Sequence, residues 1–184
     1  MGSAAIEILV ILVMLLINGL FAMAEIAVVS ARKARLQQRA DQGEKGAAEA
    51  LKLAQNPDEF LSTVQIGITL IGILAGAFGG ATLSGPLQAF LSTVPVLAPY
   101  AAPLSVVVVV LIITFLSLVI GELVPKRIGL NSPEKIAMSA AKPMRILSTI
   151  TKPIVWLLTF TSNLIVRLLH LANSDEPSVT QAEI

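Results

Sequence analysis

Charged residues are bunched along this chain, and the intervals between the bunches are apolar. No charge falls between Ile8 and Ala24, with Glu7 before the run and Glu25 after it. None falls between Phe60 and Gly121 either. At ~20 residues per crossing of a ~30 Å hydrocarbon core, that second interval holds two spans and the turn joining them. Gly79-Gly80, Gly85-Pro86, Pro95, Pro99 and Pro103 place the turn within residues 80 to 103, leaving helices over about 60–78 and 104–123. The β-branched run in the later helix is no obstacle, because a backbone in lipid must bond internally. Between the first two spans, Ala31 to Gln55 mixes both charge signs with Ala and Leu, the pattern of a helical surface segment. Asn56-Pro57-Asp58 then stops it and starts the next helix.

The last apolar stretch, Pro153 to Ala172, is long enough to cross but carries Asn163, Arg167 and His170 at i, i+4 and i+7, on one side of a helix. With Pro143 and Pro153 dividing the region, it reads as an interfacial helix rather than a fourth span. The expected fold is therefore an all-α integral membrane domain over residues 1–173. It has three transmembrane helices, juxtamembrane helices and a C-terminal belt helix, followed by a polar tail over 174–184.

Lys and Arg give the orientation. Arg32, Lys33, Arg35, Arg39, Lys45 and Lys52 follow the first span, and Lys126, Arg127, Lys135, Lys142 and Arg145 follow the third, while residues 80 to 103 hold none. The positive-inside rule places both basic segments and the C-terminus in the cytoplasm and the N-terminus outside, in an inner or plasma membrane. Ala22-Met23-Ala24 imitates a signal-peptidase site, but no Lys or Arg precedes the run and the apolar pattern continues through Val29, so a retained span is expected.

Composition narrows the chemistry. The chain is 55% hydrophobic and 14% charged, with a mean hydropathy of +0.82. It has no Cys, which excludes disulfides and thiolate metal sites. A single His and a net charge of +1 argue against a histidine-based active site and a nucleic-acid footprint. Asp41, Asp58 and Asp175 all lie outside the spans, and no HExxH, Walker or GxGxxG motif occurs. An enzyme is not expected.

The polar residues within the spans are the functional candidates, since ionisable groups at membrane depth are costly. Glu122 ends the third span, three residues before Pro125. In an α-helix a proline cannot donate to the carbonyl four residues back, here that of Gly121. A kink at Pro125 would free that oxygen beside the Glu122 carboxylate and make a pair of cation ligands. On the first span Asn18, Ala22 and Glu25 share a face, so Glu25 is a second candidate carboxylate. Ser30 is rotated away from it. On the second span Gln65, Thr69, Gly72 and Gly76 share a face that admits close helix approach.

The segments "FAMAEIAVVSARKARLQQRADQGEKGA", "NPDEFLSTVQIGITLIGILAGAFGG" and "GELVPKRIGLNSPEKIA" resemble the transmembrane domain of the CNNM/CorC family, also called DUF21 or hemolysin-like proteins. The resemblance covers nearly the whole chain, with G-E-[LIV]-x-P-K its most specific element. It implies a homodimer of three-span subunits, cytoplasmic CBS-pair domains beyond the tail, and Mg²⁺ transport, mainly export, coupled to Na⁺ in some members. It also implies Mg²⁺, as the bound substrate, held by Ser30, by Gln65 or Thr69, and by Glu122 with Gly121 or Gly129. Many members carry a Gly-Asn pair on the second helix where this chain has Gly67-Ile68. Relatives with a Q-[IL]-G pattern resemble polyamine exporters instead. Three functions are therefore expected to compete: Mg²⁺ export, export of organic cations such as putrescine using Glu25 and Glu122, and a non-transporting anchor for cytoplasmic domains.

Overall fold

The computed structural model describes residues 2–168, in which every regular element is a helix and there is no strand. In order they are α1 (Gly2–Ser30), α2 (Lys33–Asp41), α3 (Ala47–Gln55), α4 (Pro57–Leu91), a 3₁₀ turn (Ala98–Tyr100), α5 (Ala101–Leu118), a π-helical turn (Val119–Leu123), α6 (Val124–Asn131) and α7 (Pro133–Leu168). Four stretches are long and apolar enough to cross a bilayer: Ala5–Ser30, Phe60–Leu91, Ala98–Asn131 and Pro133–Val166.

Three boundaries differ from the sequence expectation, each because a helix runs through a residue that ordinarily stops one. α4 continues past Gly79-Gly80 and Gly85-Pro86 to Leu91, so the turn is confined to residues 92 to 100. α7 is continuous through Pro143 and Pro153. All three prolines sit exposed on the outer side of their helices, where the ring meets no neighbouring helix. The third span, expected over about 104–123, does not end there but passes through the π turn into α6. The surface segment is two helices rather than one, folded back at Gly43 and Gly46, whose φ of +74° and +82° favour glycine. Gly46 also lies directly against the Met138 backbone of α7, which leaves no room for a Cβ.

The core has two parts. At the basic end, Ala24, Ala27 and Val28 of α1 meet Leu36 of α2, Ala50 and Ala54 of α3, Phe60 and Val64 of α4, and Ala137 and Ala141 of α7. Alanines let five helices converge at short distance. A buried hydrogen bond from the Thr151 hydroxyl to that of Thr63 (3.3 Å) ties α7 to α4 there. Arg35 of α2 pairs with the buried Glu134 at the start of α7 (3.8 Å). The other half has a thinner core of Ile11, Leu15, Ala75, Val109 and Ile113. Around it Leu9, Leu16, Leu70, Ile73, Leu111 and Phe115 are exposed, which in water would be an aggregation surface and in lipid is the ordinary outer face. Asn163 and Arg167 fall on α7, but their side chains, like His170 and the 174–184 tail, lie outside the described residues.

Candidate functional site

The shared face of Asn18, Ala22 and Glu25 packs against the π turn and α6. Asn18 is buried, and its Nδ2 donates to the Gly121 carbonyl at 3.2 Å. Its Oδ1 is buried without a hydrogen-bond partner. Gly121 makes room for this contact: a Cβ there would stand 2.9 Å from Asn18 Nδ2 and push it aside.

The π turn changes what Pro125 does. The Val124 N–H bonds the Val119 carbonyl, five residues back. In that register the acceptor opposite the absent N–H of Pro125 is Ile120 rather than Gly121. The Ile120 carbonyl lies against Gly19, 3.0 Å from where a Cβ would stand, and the Pro125 ring fills the same notch at 2.9 Å. The Gly121 oxygen expected to be free is thus taken by Asn18, and Pro125 is a buried knob in the α1–α6 seam. Gly129, a candidate backbone ligand, is likewise a packing residue, buried against Met23 and Ile26 of α1.

Glu122 projects from the π turn. Its Oε1 lies 2.7 Å from Lys126 Nζ, one helical turn on, and Glu25 Oε2 lies 3.4 Å from the same ammonium. Side-chain exposures of 18% for Glu25, 36% for Glu122 and 33% for Lys126 leave the cluster reachable yet partly sheltered. Two carboxylates and one ammonium carry a net charge of −1, so the cluster attracts a further cation. The structure therefore unites Glu25 with Glu122, as their placement near one end of two spans allowed. In the sequence Lys126 reads as a topology charge. Its signal was present as acid and base at i, i+4, a spacing that faces the two groups at each other.

The remaining candidates are elsewhere. Ser30 is half-buried at the end of α1. Gln65 and Thr69 are exposed and line a groove of about 640 Å³ between α4 and α7, with Ile66, Leu70, Ile73 and Leu158. On their shared face, Gly72 and Gly76 have nothing within 4 Å of a Cβ among the described residues. The close contacts on α4 are at Gly67, against Phe21, and Gly79, against Ile113. Among the described residues no three Asp, Glu or His side chains gather as a metal-binding group.

Residues 9–184 match the model of the cyclin M (CNNM) transmembrane N-terminal domain. A UPF0053 protein of Synechocystis is 50% identical over the whole chain. The polyamine export proteins of Escherichia coli and Haemophilus influenzae are 32% and 30% identical over 97% and 96% of it. The chain spans about two fifths of each of these relatives, 40–41% of their length.

Proposed function

The chain belongs to the cyclin M transmembrane family, and within it we propose that this domain binds and exports organic polycations of the polyamine class at the Glu25–Glu122 pair. The observation that carries the reading is the Lys126 ammonium held by both carboxylates. A substrate amine can replace that ammonium like for like, offering the same N–H donors. The exchange leaves no carboxylate unpaired, which in a sheltered site would cost several kcal/mol. Lys126 acts as a tethered competitor that holds the empty site together and must swing aside for substrate. The names of the two polyamine-exporting relatives agree with this chemistry.

The Mg²⁺ reading draws on the family resemblance and needs more rearrangement. Mg²⁺ demands near-octahedral oxygens at ~2.1 Å. In this arrangement Gln65 and Thr69 line a separate groove and the Gly121 carbonyl is engaged by Asn18. The reading retains the other expectations: a multi-pass protein of the inner or plasma membrane, its basic end cytoplasmic, acting as a homodimer with CBS-pair domains and without covalent chemistry.

Titration of the reconstituted protein with spermidine and with Mg²⁺ tests it. Spermidine should bind, Lys126→Gln should tighten binding severalfold by removing the competitor, and Mg²⁺ at equal ionic strength should not displace the amine. Mg²⁺ binding that spermidine cannot compete away, or spermidine binding weakened by Lys126→Gln, overturns the proposal.

A further inference from the structure

The turn joining α4 to α5, residues 92 to 100, satisfies its own polar groups. Ser92, Thr93, Val94, Leu97, Ala98 and Tyr100 each donate their backbone N–H to a carbonyl of the same hairpin, at 2.9–3.1 Å. Pro95 and Pro99 have no N–H to place. The Ser92 and Thr93 hydroxyls donate back to the Gln88 and Phe90 carbonyls, at 2.8 and 2.7 Å. Among the described residues, the Val96 N–H is the only one of this turn left without a backbone acceptor. A loop in water can leave its backbone to solvent, whereas backbone at membrane depth must bond within the protein.

The side chains of the turn are an independent observation. No charge lies between Phe60 and Gly121, so the hairpin tip has none. Phe90, Val94, Val96 and Tyr100 are exposed there, Val96 to 80%. Depth decides what meets them. A Cβ on Gly79 would touch Ile11 of α1 and Ile113 of α5, which puts these three residues at one level. Glu7 lies four residues outward from Ile11, about 6 Å of helix. Glu7 and Glu25 bound the uncharged part of α1 and stand 18 residues apart, about 27 Å, close to the ~30 Å of a hydrocarbon core. Glu7 therefore marks the hydrocarbon edge opposite the basic end. α4 continues 12 residues past Gly79 to Leu91, about 18 Å, so the tip stands about 12 Å beyond Glu7. The headgroups occupy about 5–8 Å on each side of the core, so the tip lies in that layer and at its outer edge.

We propose that this turn is a membrane anchor, seated in the interfacial layer of the leaflet opposite the basic end, with Phe90, Val94, Val96 and Tyr100 against lipid rather than water. In water these side chains would form a bare apolar patch. At the interface they bury in lipid, and the amphipathic Tyr100 ring keeps its hydroxyl among the headgroups. An uncharged turn with a self-bonded backbone loses little on leaving water, because few of its polar groups exchange solvent for lipid. The anchor is independent of the proposed amine site, which lies toward the other end of the spans.

The chain has no native Cys, so a nitroxide can be attached at one introduced position at a time. Val96→Cys and Phe90→Cys report the tip, and both replace exposed side chains. Leu111→Cys on the exposed face of α5 serves as the hydrocarbon reference, and Lys45→Cys in the exposed α2–α3 turn as the water reference. Each labelled protein is reconstituted in phosphatidylcholine vesicles. Spin relaxation is then measured with oxygen, which concentrates in lipid, and with a water-soluble nickel chelate. The oxygen-to-nickel ratio at Val96 and at Phe90 should exceed that at Lys45 severalfold and lie below that at Leu111. A ratio at either tip position equal to that at Lys45 places the turn in water and overturns the proposal. Low collision with both reagents shows the tip covered by protein, a second copy included, and overturns it equally.

Discussion

The seam between α1 and the π turn and the outer face of α4 both carry polar residues at helical spacing within apolar spans. In the seam every polar group but one is engaged by another element: Asn18 by Gly121, and Glu25 and Glu122 by Lys126. On α4 the polar and small residues Gln65, Thr69, Gly72 and Gly76 share a face just as regularly, yet Gln65 and Thr69 only line an open groove beside α7, and among the described residues nothing approaches Gly72 and Gly76. Spacing announces that a face exists. Whether another helix meets it depends on how the long helices cross, which is set by contacts distributed over the bundle. Glycine shows the same difference. Gly19, Gly121 and Gly129 are notches that let α1 and α6 touch, whereas Gly72 and Gly76 face outward.

The sharpest way to break this comparison is to neutralise carboxylates in the seam and truncate side chains on α4. Glu122→Gln and Glu25→Gln should each lower spermidine affinity by more than about tenfold, ~1.4 kcal/mol. Both should act comparably, since both touch one ammonium. Gln65→Ala and Thr69→Ala should change it by less than about twofold, ~0.4 kcal/mol. Calorimetric titration in detergent measures all four, and an α4 variant as damaging as a seam variant would erase the distinction.

A second comparison uses volume in place of charge. Gly121→Val drives methyl groups into Asn18 and should destabilise the protein by about 1–3 kcal/mol, as overpacking does. Gly72→Val, on an open face, should stay within about 0.5 kcal/mol. Thermal unfolding in detergent at matched protein concentration gives both values. Equal losses at the two sites would mean that the α4 face is covered after all.

The smallest effect belongs to the one unengaged polar group of the seam. Asn18→Leu loses a hydrogen bond worth about 0.6 kcal/mol on average between membrane helices. It also removes the buried Oδ1 that has no partner, a liability of about 1–3 kcal/mol. The substitution also deprives the buried Gly121 carbonyl of its Asn18 donor, a cost of the same size as that liability, so the terms nearly offset and stability should change by less than about 1 kcal/mol. A loss above about 2 kcal/mol would show that Oδ1 is satisfied in the membrane.

The charge pattern identified an all-helical membrane domain and located its apolar runs, and helical spacing with Pro125 marked Glu25 and Glu122 as the carboxylates to watch. These are local properties: bilayer thickness fixes span length, and the cost of burying charge confines charged residues to span ends and protein-facing seams. The sequence was misleading wherever a residue's local tendency could be outvoted. Gly79 and Pro86 read as breaks, but a long apolar helix in lipid has nowhere else to satisfy its backbone and runs through them; α7 likewise runs through Pro143 and Pro153, which sit exposed on its outer side. Pro125 read as the residue that frees the Gly121 oxygen. One inserted residue in the π turn moves the missing donor opposite Ile120, and no composition or periodicity signals that shift. Only the tertiary structure decided that Asn18 would claim Gly121, that Gln65 and Thr69 would face a different groove, and that Lys126 would sit between the two carboxylates. Periodicity fixes each side chain's azimuth on its own helix, whereas a site requires the relative rotation and register of two helices, and those come from packing.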